Sequence, residues 1–489
     1  MQQTEGVGFL LRLAVDLLIA IEASFSASPI MNFDIKLFVL IVAMGKVKPN
    51  EVSDNQGNLE ETYTVQDLRN DLQTAMEVEH ATIPPYLTAL ATLMTGNNSD
   101  IQNRLRDVFI QEMFHLALAA NILNAVGGKP SLNYSGFIPD YPSVLPGGLH
   151  PKLIVPIKKF TRLLVKDVFS MIEQPEVEVA TLSSFKHIFR FVRRIKDRLG
   201  YCQRSEAGVN CELPGNIMTR MNQSGCFISN AEKAQFLEEF KQRRLLKVIH
   251  REAKKHGLSS TDDLVYHNNT IGGFYRYILQ GLGYLTGCGT NDSIFTGDVS
   301  KQVTHKGWTV SGHSMKVTDY LSAVDAIEAI VDQGEGSSPC NPDAISEVGN
   351  KELSHYYTFL SVSHGREIEV YPNPYREEEF NCTYRFTGPK IPFDPDAVWP
   401  MVTNPNLSMY VNNTQAFTAA VKFNINYTRL LTSLDNVFNG HADQIQAAIG
   451  LMFPLFNELQ ELVQIPIDIH GDQYVGPNVG PTYDFTPHD

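Results

Sequence analysis

The chain has no excess of basic residues: 40 Lys and Arg stand against 54 Asp and Glu, for a formal charge of −14. That balance argues against nucleic acid or an anionic membrane as the main partner. It also lacks the run of roughly 20 uninterrupted apolar residues needed to cross a bilayer, so no stable membrane span is expected in the mature chain. Cysteine is sparse, with Cys202, Cys211, Cys226, Cys288, Cys340 and Cys382 at spacings that match no zinc ribbon. The absence of a clustered thiolate set disfavours copper(I) and iron–sulfur centres. No internal repeat is visible.

What is present is enough for a sizeable core, since 43% of residues are apolar and 19% charged. Two E-x-x-H tetrapeptides stand out, Glu112–His115 and Glu352–His355. With 54 acids and 14 His, roughly one such string is expected by chance, so position must carry the argument. Residues 101–126 place Ile101, Leu105, Val108, Glu112, His115, Ala119, Ile122 and Val126 on one helical stripe, and Gly127-Gly128 supply a stop. An ionised carboxylate buried there without a partner costs several kcal/mol, which implies a cation, a salt bridge or a protonated acid.

The segment before it carries Leu68, Leu72, Met76, Glu79, Ile83, Tyr86 and Leu90 on its inner stripe, with Glu79 the odd residue out. Glu77 and His80 form an overlapping third E-x-x-H, but Glu77 lies about 200° around the helix from Glu79 and should face water. His80 is an ambiguous neighbour. Tyr86, two turns along from Glu79, is placed to support a metal-bound carboxylate or to deliver a proton, and His80 is the other candidate for that role. Pro84 and Pro85 should kink or interrupt the helix. Further on, Leu321, Val324, Glu328, Val331 and Glu335 share a stripe, leaving Glu328 and Glu335 as carboxylates of a third helix. The fourth aligns Glu352, His355, Phe359 and Val362. The order Glu, E-x-x-H, Glu, E-x-x-H suits a dinuclear site in a four-helix bundle.

This arrangement resembles the ferritin-like superfamily, and the strings MEVEHATIPPYL, EMFHLALAANILNAVGGKP, TIGGFYRYI, IFTGD, AIVDQGEG, SHYYTFL and GPTYDF are similar to the ferritin-like domain of the iminophenyl-pyruvate dimer synthase family. The resemblance implies Glu79, Glu112, His115, Glu352 and His355 as ligands, with Glu335 preferred over Glu328, and two transition-metal ions, iron first and manganese second. It further implies an oxidoreductase acting on a small aromatic or amino-acid-derived molecule with dioxygen or peroxide. The alternative is a metal-binding or ferroxidase-type protein with no organic substrate.

The expected fold is therefore mainly α: a ferritin-like four-helix bundle with a long crossover, an inserted helical subdomain and a C-terminal mixed or helical extension. The bundle should span residues 66–372 after a linker at 46–65. The Pro- and Gly-rich stretch 129–156 reads as the crossing connection. The insertion, about 180–265, contains two basic amphipathic patterns, and 373–489 forms an extension whose helical patterns, 414–438 and 442–463, pack on the bundle. In the leader, 1–45, residues 31–45 resemble a signal peptide. Even cysteine number and nine sequons, at Asn97, Asn133, Asn222, Asn268, Asn291, Asn381, Asn406, Asn412 and Asn426, against roughly four expected by chance, favour a secreted or luminal glycoprotein with disulfides.

Overall fold

The computed structural model describes residues 62–175, 270–287, 291–304, 316–334, 351–372 and 382–487, with short pieces at 203–205, 208–210, 233–234, 236–241, 243–244, 309–310, 313–314 and 343–345. The leader, the side chains of all six cysteines and Glu335 lie outside the residues so described. The chain divides into two compact units. The smaller comprises 1–63 and 234–267, where Tyr63 packs edge-on against Phe236 and Phe240. The larger comprises 64–233 and 268–489 and carries everything that follows.

Helix α1, Val65–Thr92, starts on a capping box in which Thr64 Oγ1 accepts from the Asp67 backbone N–H and Asp67 accepts from that of Thr64. It runs unbroken through Pro84 and Pro85, so the expected interruption does not occur. Pro85 cannot donate to the Ala81 carbonyl one turn back, and the Tyr141 hydroxyl does so instead at 2.7 Å. Helix α2, Ser99–Ala125, ends where expected, with Gly127 at φ +69° and the Gly128 N–H bonded to the Leu123 carbonyl. A side chain on Gly127 would strike Thr296 and Arg69. By composition α2 is apolar enough to cross a membrane, but 83% of that stretch is buried in the protein.

After α2 the chain crosses through the loop 126–161, tied to α1 by Tyr134, whose hydroxyl donates to Glu77, and by Tyr141. It then forms a short helical segment, α3, made of Arg162–Leu164, a π-helical stretch Val165–Phe169, and Ser170–Ile172. Helices α4, Ile271–Thr286, and α5, Tyr320–Gly334, pack on each other and on α1 and α2 respectively, closing a four-helix bundle. Helix α6, His355–His364, is not one of its long members: it packs on α3 and also contacts α2 and α5.

Strand is minor among the described residues. Four antiparallel two-stranded ribbons pair β1, Gln203–Ser205, with β2, Gly208–Asn210; β3, Thr309–Val310, with β4, His313–Ser314; β5, Asp343–Ile345, with β6, Lys351–Leu353; and β7, Glu369–Pro372, with β8, Cys382–Arg385. Helices α7, Thr414–Phe438, and α8, Ile445–Leu462, pack together, α7 also touching α2 and α8 touching α1. The tail then returns to α1, where the Tyr483 hydroxyl meets Thr88 Oγ1 at 2.9 Å and donates to the Pro84 carbonyl at 3.2 Å.

Candidate metal centre

Five buried side chains converge where α1, α2, α3 and α6 meet. Glu79 comes from the middle of α1, Glu112 and His115 from one face of α2, Glu173 from the residue after α3, and His355 from the first residue of α6. None is more than 4% exposed. The His115 Nδ1 lies 3.6 Å from Glu79 Oε2 and 3.7 Å from Glu112 Oε2. The His355 Nδ1 lies 2.7 Å from Glu112 Oε1 and 3.7 Å from Glu173 Oε2. Glu112 thus stands between two imidazoles, and each Nδ1 also faces a second carboxylate.

The supports repeat the same symmetry. Tyr275 of α4 donates to Glu79 Oε1 at 2.5 Å, and Tyr86 of α1 donates to Glu173 Oε1 at 2.6 Å. The Nε2 of His115 faces Gln333 Oε1 at 2.9 Å, and that of His355 faces Gln111 Oε1 at 2.8 Å. An amide oxygen at each Nε2 favours an N–H there, which in the neutral imidazole leaves Nδ1 as the acceptor facing the carboxylates. Phe169 and Phe359 pack edge-on or tilted around Tyr86 and each other, lining that side with apolar rings.

Electrostatics make the arrangement costly without a cation. Burial raises Glu79 to about 7, against the opposing pull of His115, and burial, then the Glu112 charge, raises Glu173. Burial alone would also raise Glu112, but His355 and His115 outweigh it and hold its carboxyl well below the usual range. Burial would depress both imidazoles, yet Glu112 and Glu79 push His115 up to about 10, and Glu112 and Glu173 push His355 up to about 8. Without metal, protons do the neutralising. Burial first, and then the carboxylates, keep both phenols protonated as donors. Glu173 also closes a helix C-terminus, where the backbone dipole disfavours a negative charge.

A cation fits this donor set. Glu112 Oε1 and His355 Nδ1 are buried, 2.7 Å apart, and neither makes an aligned hydrogen bond. In the metal-free protein a proton on His355 Nδ1 makes this an ion pair; once that proton leaves, two buried acceptors face each other, which a shared positive charge satisfies. Donor atoms of Glu112, His115 and His355 all lie within 4.8 Å of one another, close enough to hold one ion. Glu79 and Glu173 extend the same donor chemistry to either side. Carboxylate and imidazole without thiolate suits iron or manganese.

The sequence expectations meet this geometry unevenly. Glu79, Glu112, His115 and His355 are together, and Tyr86 supports a carboxylate as expected. Glu352 lies in β6 opposite Ala344 and not on the helix, which begins only at His355 after Ser354; its side chain falls outside the described residues. The spacing Glu352–His355 is therefore not a helical turn, because residues 351–353 pair with β5 as a strand and Ser354 is the extended residue before the helix. Glu328 is only half-buried, whereas Gln333 on the same helix is 2% exposed and reaches His115. Five residues separate the two, which turns their side chains about 140° apart. Glu335 falls outside the described residues. Among the described residues the third carboxylate is Glu173, which the sequence reading passed over: a short helix with a π-helical stretch breaks the 3.6-residue phase that would have flagged an acid beside Val165, Phe169 and Ile172.

His80 is not part of the centre. Its Nε2 meets the Tyr427 hydroxyl at 2.9 Å and its ring packs on Phe137 at 4.6 Å. Burial pushes its imidazole down to about 3, against a smaller opposing effect of the Phe137 backbone. Between its ordinary 6.5 and about 3 the unfolded chain binds a proton that the folded chain refuses, so stability falls as pH drops through that window, by up to about 1.4 kcal/mol per pH unit. Thermal unfolding from pH 7 to 4.5 should therefore show a steeper acid loss for wild type than for His80→Gln, and parallel curves would contradict it.

A family model described as Ferritin-like matches residues 72–364. A solved ferritin like protein from Caulobacter vibrioides is 18% identical, over 82% of this chain and 95% of that one, with a TM-score of 0.45. No curated protein matches.

Proposed function

Because the chain belongs to the ferritin-like family, we propose that it is a dimetal-carboxylate oxidoreductase, holding iron or manganese on Glu79, Glu112, His115, Glu173 and His355 and acting with dioxygen or peroxide on a small aromatic or amino-acid-derived molecule. The observation that carries the metal reading is the pair of Nδ1 atoms turned onto three buried carboxylates. The substrate class rests on the resemblance to the iminophenyl-pyruvate dimer synthases. A metal pair, when bound, supplies a Lewis acid and a store of oxidising equivalents.

The chain's own residues set the conditions for that chemistry. Glu112, which lies between His115 and His355, would be the carboxylate available to both histidines' metal, and Glu79 and Glu173 would each add a carboxylate beside one of them. Tyr275 and Tyr86 each fix one oxygen of an outer carboxylate and leave the other free to ligate. The apolar rings around Tyr86 exclude bulk water, which strengthens every electrostatic contact inside. Secretion or luminal delivery after signal-peptide removal is part of the proposal, and the exposed sequon residues Asn97, Asn133, Asn291, Asn406 and Asn412 support it.

One observation favours a second reading, a metal-binding or ferroxidase-type protein with no organic substrate: the ligands are sealed, none more than 4% exposed. Both readings share a first test. Elemental analysis of the purified protein should find about two transition-metal ions per chain, with a loss in His115→Ala and in His355→Ala. Unchanged metal in both variants, or no stoichiometric metal in wild type, would sink the site. Oxidation of ferrous ion at a catalytic rate without any organic reductant would favour the second reading over the first.

A further inference from the structure

The two amides at the back of the imidazoles have no place yet in the function. We propose that Gln111 and Gln333 are positioning residues that select which nitrogen of each histidine binds metal, a reading that rests on the metal site proposed above. Each offers its Oε1 to an Nε2 at 2.8 or 2.9 Å. An acceptor there holds the proton on Nε2, so ligation falls to Nδ1, the atom already aimed at Glu112. A hydrocarbon in the same place would orphan a buried N–H and free the ring to turn.

The placement of both amides in the fold ties them to the carboxylates as well. Gln111 directly precedes Glu112 on α2, so one backbone step couples the shared carboxylate to the group that orients His355. Gln333 directly precedes Gly334, where a methyl group would sit 3.3 Å from Glu173 Oε2. The end of α5 therefore touches His115 through one residue and borders the opposite carboxylate through the next.

The two amides differ in cover: Gln333 is buried and Gln111 half-buried. Gln111 is thus the variant site least exposed to a folding failure. The test is binding of cobalt(II) by titration and of zinc by long-range proton–nitrogen correlation on protein labelled with 15N-histidine. Zinc-loaded wild type should show two histidines ligated through Nδ1 with a proton on Nε2, and both should leave that pattern in His115→Ala combined with His355→Ala. Gln111→Leu and Gln333→Leu should each weaken cobalt binding by about 10- to 100-fold, while Gln111→Glu, which keeps an acceptor, should stay close to wild type. Ligation through Nε2, or wild-type affinity in the leucine variants, or equal loss in Gln111→Leu and Gln111→Glu, would overturn the assignment. Failure of wild type to bind either metal would instead remove the site itself.

Discussion

Glu112→Gln should empty both halves of the centre, whereas Glu79→Gln or Glu173→Gln should empty one. Glu112 alone contacts both imidazoles, with one oxygen 2.7 Å from His355 Nδ1 and the other 3.7 Å from His115 Nδ1. Glutamine keeps the volume but replaces one oxygen with an N–H donor, which would occupy the Nδ1 lone pair that must reach the metal. Breaking a buried charge pair by neutralising one partner costs about 3–5 kcal/mol, equivalent to at least a hundredfold in affinity. In the metal-free protein the same change strips both imidazolium groups of an adjacent anion, so its melting temperature should fall as well. Elemental analysis and calorimetric titration check the first outcome and thermal unfolding the second. Two ions retained in Glu112→Gln would show that the shared carboxylate is not shared.

The parts of this centre that could be read from sequence are those held by long, regular helices. α1 and α2 keep a 3.6-residue phase over their whole lengths, so an acid in the apolar stripe, Glu79 or Glu112, declares itself against Leu72, Met76, Leu105 and Val108. His115 follows from one turn of the same helix. The other half is built from irregular chain. Glu173 ends a short segment whose π-helical stretch shifts the phase, and His355 sits at a helix start that a strand precedes, so the helical periodicity that located it does not extend back to Glu352. Tyr275, Gln111 and Gln333 are invisible for another reason: their role comes from which helices touch, and nothing in α2, α4 or α5 read alone points to a partner on another helix. The bundle's own composition was misjudged in the same way. Periodicity identified α5 as apolar and inward-facing, but a five-residue difference in register decided that it presents Gln333 rather than Glu328.

Metal loading should be strongly pH-dependent and should release about two protons per chain near pH 7.5. In the metal-free protein His115 is pushed up to about 10 and His355 to about 8 by their carboxylate neighbours, and burial raises Glu79 to about 7. Each must lose its proton to ligate. The sign follows directly: these groups are protonated below their raised pKa values, so acidification returns protons to the ligands and expels metal. Above pH 8 only His115 remains to be deprotonated, and apparent affinity should change by about tenfold per pH unit. Below pH 7 all three compete, and the combined affinity for both ions should fall up to about a thousandfold per unit. Raised Glu173 acts in the same direction. Calorimetric titration in buffers of different ionisation enthalpy counts the protons, and dialysis across pH 5 to 9 followed by elemental analysis measures the loss. Glu79→Gln should remove its share of the acid dependence along with one ion. A site that loaded without releasing protons would have its imidazoles neutral before metal arrived, which the three carboxylates packed around them do not allow.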